Sequence, residues 1–174
     1  MLLASQSMKV LETERLLLRR LTLDDAPFII ELLNDPSFIR FIGDKGVRTI
    51  EEAQNYILNG PVASYQQFGY GLYATELRES RVPIGICGIL KRETLPHPDI
   101  GFAFLPAYRK QGYAFEAAAA VIEHARLVLG LDRVLAITTP DNEVSGRLLE
   151  KIGLRFERLM TLAEGTTPVK LFST

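Results

Sequence analysis

The chain holds a single cysteine, Cys87, and only two histidines, His97 and His124, in 174 residues. One cysteine excludes an intramolecular disulfide framework and any cysteine-rich zinc site. The two histidines lie far apart in sequence, so no metal centre is expected. No apolar run approaches the ~18 residues that span a bilayer. The opening MLLASQSMKV has no basic residue ahead of its short apolar patch, which does not fit a secretory signal. Lys plus Arg total 20 against 21 Asp plus Glu, a net charge of −1, whereas a dedicated nucleic-acid binder carries a basic excess. Neither nucleic acid nor membrane is therefore expected as a partner, and a cytoplasmic location is the default. Both common phosphate-binding fingerprints, G-x-x-x-x-G-K-S/T and G-x-G-x-x-G, are missing.

What is present is an ordinary globular composition, 47% hydrophobic and 24% charged, over a length that fits one domain spanning residues 1–174. The first ten residues are expected to fray. Residues 15–21, 70–77, 82–90, 100–105, 133–138, 156–162 and 169–172 are strand-like. Helical patterns cover 23–33, 38–41, 49–58, 113–129 and 145–152. Thr22 with Asp25 and Thr49 with Glu52 are spaced as capping boxes. Gly60-Pro61 is expected to interrupt the third helix, with a further helical turn over 62–67. The order β-α-α-β-β-β-α-β-α-β-β predicts a mixed sheet with helices on its faces. Residues 100–138 form a β-α-β unit with parallel strands.

That unit holds the most suggestive local chemistry. A strand stopped by Pro106 leads through Arg109, Lys110 and Gly112 into the longest helix, with no acidic residue before Glu116. A helix N-terminus presents unpaired N–H groups and a partial positive charge. Gly112 lets an anion approach the backbone, and Arg109 offers a forked donor set. An ordinary strand–turn–helix with solvated basic residues fits the same pattern. Cys87, in the apolar run IGICGIL, reads as inert core. Arg19 and Arg20 point to opposite faces of a strand, as at a sheet edge.

Three stretches then resemble one family. Arg109-Lys110-Gln111-Gly112-Tyr113-Ala114 matches the R/Q-x-x-G-x-G/A signature of the GNAT N-acetyltransferases. LETERLLLRRLTLDD, residues 11–25, is similar to the T-E-R-L-x-L-R opening of their RimJ/RimL-like branch. TTPDNEVSGRLLEKIGLRFE, residues 138–157, resembles that branch's N-x-x-S…K-x-G-F segment. The resemblance implies the GNAT fold of the α/β (α+β) class: a central mixed, mostly antiparallel sheet splayed between two parallel strands, with helices on both faces. It also implies acetyl-CoA bound in the splay. The pyrophosphate is assigned to Lys110, Gln111, Gly112, Tyr113 and Ala114. The pantetheine arm falls to backbone groups of Phe104 and Leu105 and to Asn142.

The implied reaction is attack of an amine on the thioester, the acceptor being a small molecule or a protein N-terminus. Its charge changes require a base, a donor to the carbonyl oxygen and help for the leaving thiolate. The Leu105 backbone N–H is the expected oxyanion donor. Many relatives place a tyrosine acid seven residues after the asparagine; here that position is Leu149. Ser145 is the substitute donor toward sulfur, and it equally fits a first-turn role in the helix. Asp99 is the candidate base, with Glu93 and His97 in the adjoining turn, and a solvated hairpin is the alternative for all three. The missing tyrosine also motivates a second reading, a non-catalytic acyl-CoA-binding or regulatory protein on the same fold. A monomer and a homodimer are both compatible with the sequence.

Overall fold

The computed structural model describes residues 8–174. Of the segment expected to fray, residues 1–7 lie outside that range, while Lys9 and Val10 belong to a strand, β1 (Lys9–Glu12). It pairs antiparallel with β2 (Leu16–Arg20) and covers what would be an open edge. The short helices α1 (Ala26–Leu33), α2 (Pro36–Phe41) and α3 (Ile50–Ile57) follow. The third α-helix is interrupted around Gly60-Pro61 as expected, and a further helical turn follows. The chain widens into a π turn (Leu58–Val62) that tolerates the missing N–H, then continues as α4 (Ala63–Phe68). Strands β3 (Leu72–Leu77), β4 (Pro83–Leu90) and β5 (Asp99–Phe104) lead to α5 (Tyr113–Leu127). The last elements are β6 (Leu135–Thr138), α6 (Glu143–Lys151), β7 (Arg155–Met160) and β8 (Val169–Ser173). Helix α5 stops two residues short of its expected end, where Gly130 turns at φ 66° and the Leu131 N–H returns to the Ala125 carbonyl.

The eight strands lie in the order β1-β2-β3-β4-β5-β6-β8-β7. Every neighbouring pair is antiparallel except β5 with β6, the expected parallel pair that α5 connects. Helix α5 packs on one face through Ala117, Ala118, Val121 and Ala125, each at most 1% exposed, whose small side chains bring its axis close to Leu16, Leu18, Ile89, Ile100 and Phe104. Helices α1 and α3 cover the other face, with Ile29, Leu32 and Ile57 against Ala74 and Ile86. Cys87 is fully buried, and burial pushes its thiol up, which keeps it protonated and inert.

Arg19 is not at a sheet edge. β2 lies between β1 and β3, and Arg19 is buried with its guanidinium forked onto both oxygens of Asp25 at 2.8 Å and its Nε 3.0 Å from Glu76. The second Glu76 oxygen accepts from Arg81. The cluster pairs each buried charge, the condition under which burial is tolerable. It also ties the turn before α1 to the sheet. Among the described residues no helix is long and apolar enough to cross a membrane.

Candidate functional site

The sheet comes apart between its two parallel strands. β5 pairs with β4 without interruption, from Asp99 opposite Leu90 to Phe104 opposite Gly85, and the Leu105 N–H extends the ladder to the Ile84 carbonyl at 2.9 Å. On its other side β5 meets β6 at one place, Asp99 opposite Leu135, where the Leu135 N–H donates to the Pro98 carbonyl at 2.9 Å. Beyond Leu135, β6 is paired only with β8. Backbone groups alternate between neighbouring strands along a ladder. Gly101, Ala103 and Leu105 therefore address β4, while Ile100, Phe102 and Phe104 address the gap. Phe102 and the Phe104 N–H have no strand partner among the described residues. Buried peptide groups left this way require a substitute.

This parity corrects the assignment at Leu105. Its N–H is committed to Ile84, because the β4–β5 register runs without a bulge past the end of the strand. The N–H that faces the gap belongs to Phe104. The Phe104 carbonyl is taken up by Arg109, whose Nε and Nη2 donate to it at 3.1 and 2.9 Å.

Arg109 is likewise not the fork for an anion. Its Nη2 also reaches Asp35 at 2.7 Å and its Nη1 reaches the Ser37 hydroxyl at 3.0 Å. Asp35 caps α2 by accepting from the Phe38 N–H and is only 7% exposed at its side chain, so its charge needs a local cation. Arg40 of the same helix pairs with Asp141, just past β6, at 3.2 Å. Helix α2 is thereby tied to the chain beyond both diverging strands. Arg109→Ala is expected to lower stability by about 1–3 kcal/mol, since it strands a carboxylate and a carbonyl, and to change acetyl-CoA affinity less than threefold. Chemical denaturation and calorimetric titration check the two arms.

The turn into α5 keeps the donors expected of it. Lys110 and Gly112 both adopt left-handed backbone, at φ 60° and 82°. The first helical hydrogen bond runs from Glu116 N–H to the Gly112 carbonyl at 3.0 Å. The N–H groups of Lys110, Gln111, Gly112, Tyr113 and Ala114 have no acceptor among the described residues. A non-glycine residue held at positive φ beside five unpaired amides is backbone arranged for an anion. Glu116, however, lies in the first turn of α5, which therefore is not free of acids. Its carboxylate accepts from the Thr13 hydroxyl, from the Arg15 backbone N–H at 3.0 Å and from Arg15 Nε at 2.8 Å. Burial would raise it, but these bonds hold it below the usual carboxylate range. Thr13 and Arg15 belong to the T-E-R-L stretch, so their motif is visible in the sequence although this contact is not.

Across the gap, Asn142 caps α6, its Oδ1 accepting from the Ser145 N–H at 3.3 Å. Its Nδ2 and the half-buried Ser145 hydroxyl have no protein partner among the described residues. Leu149 is 1% exposed and packs in the core beside Leu154 and Phe172. The position expected of a tyrosine acid is core here.

Asp99 stands at the neck of the divergence. It is 1% exposed, and burial pushes its carboxyl up to about 6 against the pull of Arg92, whose Nε lies 3.0 and 3.1 Å from its two oxygens. The solvated-hairpin alternative therefore fails for Asp99 and holds for the exposed Glu93. Arg92 is 40% exposed and runs from this carboxylate toward the surface. Tyr56 of α3 lies within the field of Arg92 and also lines an open groove of about 490 Å³ with Lys45, Glu52, Asn55 and Asn59. Asp99 and Ser145 are not brought together: they adjoin opposite ends of β6, separated by ~10 Å of strand.

A family model described as an acetyltransferase (GNAT) domain matches residues 15–155. An uncharacterized N-acetyltransferase of Bacillus subtilis (strain 168), YoaA, is 31% identical over 152 residues, covering 87% of this chain and 85% of its own. An acetyltransferase from Agrobacterium tumefaciens str. C58 superposes with a TM-score of 0.80 at 26% identity, covering 94% of this chain and 92% of its own. RimL, a ribosomal L7/L12 alpha-N-protein acetyltransferase solved in complex with coenzyme A, superposes at 0.82 and 17% identity over 95% and 97% of the two chains, a likeness of fold.

Proposed function

Because the chain belongs to the GNAT acetyltransferase family, we propose that it transfers an acetyl group from acetyl-CoA to a primary amine, with the gap between β5 and β6 as the donor site. The observation that carries this reading is a set of unused backbone groups along one side of the gap. It comprises Phe102, the Phe104 N–H and the five amides at the start of α5, and the buried carboxylate of Asp99 closes its inner end. Residues of this kind and order fit a long donor with an amide-bearing arm and a pyrophosphate, the chemistry of coenzyme A. RimL, with the same fold, is known with that molecule.

Bound acetyl-CoA supplies a thioester with an electrophilic carbonyl. The rest falls to the chain. Residues 110–114 hold the pyrophosphate through backbone N–H groups, and Phe102 and Phe104 align the arm as a neighbouring strand would. The Phe104 N–H, aimed into the gap, is the donor that offsets charge growing on the carbonyl oxygen. Above about pH 6 Asp99 is ionised, is fixed in place by Arg92, and takes up the proton of the amine through water in the gap, because ~16 Å of strand separates it from the Phe104 N–H. The Asn142 amide and the Ser145 hydroxyl line the opposite side, Ser145 as a donor toward sulfur. A thiol of pKa about 8.5 leaves readily enough that a strong acid is not required, which suits Leu149.

For the acceptor we propose a protein N-terminal amine or a small amine entering beside Tyr56. The T-E-R-L opening and the fold shared with RimL favour the RimJ/RimL-like branch. The test is release of CoA from acetyl-CoA by the purified chain, offered peptides with free N-termini, polyamines and amino acids, with acetylated products identified by mass. Turnover on at least one class is expected. Tight acetyl-CoA binding with no turnover on any class would support the non-catalytic reading that Leu149 raises.

A further inference from the structure

The first turn of α5 carries a negative charge, Glu116, in the same turn that is to receive phosphates. Unopposed, it would repel them. The residue that opposes it, Arg15, comes from the chain leading into β2 and does more than neutralise. One of its five N–H bonds goes from Nε to Glu116 at 2.8 Å and one from Nη1 to the Gln111 carbonyl at 2.9 Å. The remaining three have no acceptor among the described residues. The guanidinium lies over the Tyr113 ring at 4.3 Å, which fixes its plane. Its Nη2 lies 3.2 Å from the point that a Cβ on Gly112 would occupy. An open edge of a fixed guanidinium thus lies beside the turn that carries the amides of residues 110–114. The arginine inside the sequence motif, Arg109, is turned away onto Phe104 and Asp35.

We infer that Arg15, not Arg109, is the side chain that binds the phosphates of the acyl donor, its fork completing the set of backbone N–H groups. The inference rests on the proposed acetyl-CoA site and names a further residue of it. Anchored by Glu116 and Gln111 and stacked on Tyr113, Arg15 loses little freedom when an anion arrives, and a charge-assisted fork is the strongest donor a side chain offers.

The experiment is calorimetric titration of the full chain and its variants with CoA and with pantetheine, which lacks every phosphate. R15Q is expected to weaken CoA by about 10- to 100-fold and to change pantetheine affinity by less than twofold. The double variant R15Q/E116Q has no unopposed carboxylate, so it keeps the turn intact if R15Q alone unfolds. It is expected to remain weakened toward CoA by at least tenfold. CoA affinity restored to the wild-type value in the double variant would overturn the inference, because Arg15 would then only screen Glu116. Equal losses for CoA and pantetheine in both variants would overturn it too. Failure of the unmodified chain to bind CoA would instead remove the donor site itself.

Discussion

Asp99→Asn is expected to lower kcat/KM at pH 7.5 by about 10²- to 10⁴-fold, the usual worth of a positioned base, while making the folded protein more stable. Both effects come from one burial. The unmodified chain should lose about tenfold in kcat/KM per pH unit below pH 6, where Asp99 takes up its proton, and the variant should lack that limb. In stability the sign runs the other way. An unfolded aspartate gives up its proton near 3.9, whereas burial keeps it on Asp99 up to about 6. Between those values the folded chain binds more protons than the unfolded one, so stability falls as pH rises through the window and is flat above it. The integrated loss is about 3 kcal/mol. Asparagine carries no charge to bury, and the Arg92 it leaves behind is 40% exposed and can turn to water. A gain of about 1–3 kcal/mol at pH 7.5, several degrees in Tm, and none at pH 4 is the expected pattern. A rate at pH 7.5 unchanged by the substitution would remove Asp99 from the mechanism.

Gly112→Val is expected to weaken acetyl-CoA binding by more than 100-fold. The residue sits at φ 82°, where a β-branched side chain is strained by about 1–3 kcal/mol. The added Cβ would lie 3.2 Å from Arg15 Nη2, so the guanidinium or the turn must give way. Relief of the strain or of that contact displaces the donors, so the loss should fall on the phosphate-bearing ligand. Thermal unfolding with and without acetyl-CoA reads it directly. Ligand at 100 times its dissociation constant stabilises the unmodified chain by about 2.7 kcal/mol, and this shift should vanish in the variant. Gly130→Val is the control. That glycine also has positive φ, 66°, and a Cβ there meets nothing within 4 Å, so it carries backbone strain without touching the cradle. Equal ligand shifts in both variants would refute the assignment of the turn.

What could be read from the sequence follows the range of the interactions involved. The amides of residues 110–114 were legible because a strand, a turn and a helix start are local events. The direction of Arg109 was not, because it answers to Asp35, 74 positions earlier. Arg15 stood in view in the T-E-R-L stretch, but its role depends on Glu116, 101 positions later. At Leu105 the error was a single residue, since strand parity is set by the partner Ile84 and not by the strand itself. The interruption at Gly60-Pro61 is legible because a missing donor is a local fact, whereas the π turn that spans it is not. Asp99 stands at the strand start where the sequence places it, but its ion pair with Arg92 and its burial emerge only once both sheet faces are covered.

The single bridge between Asp99 and Leu135 has a mechanical side. A continuous sheet behaves as one plate, because each ladder resists shear between its strands. Here the ladder is cut to one rung, so the sheet is two plates, β1 to β5 and β6 to β8, joined at that rung and by the apolar core they share beneath α5. At the far end α2 acts as a strut, pinned by Arg109 to the loop after β5 and by Arg40 to the turn after β6. The pin at Arg40 is an exposed ion pair that salt can loosen. A ligand lying along β5 would restore the missing rungs, stiffening the whole sheet rather than merely filling a hole.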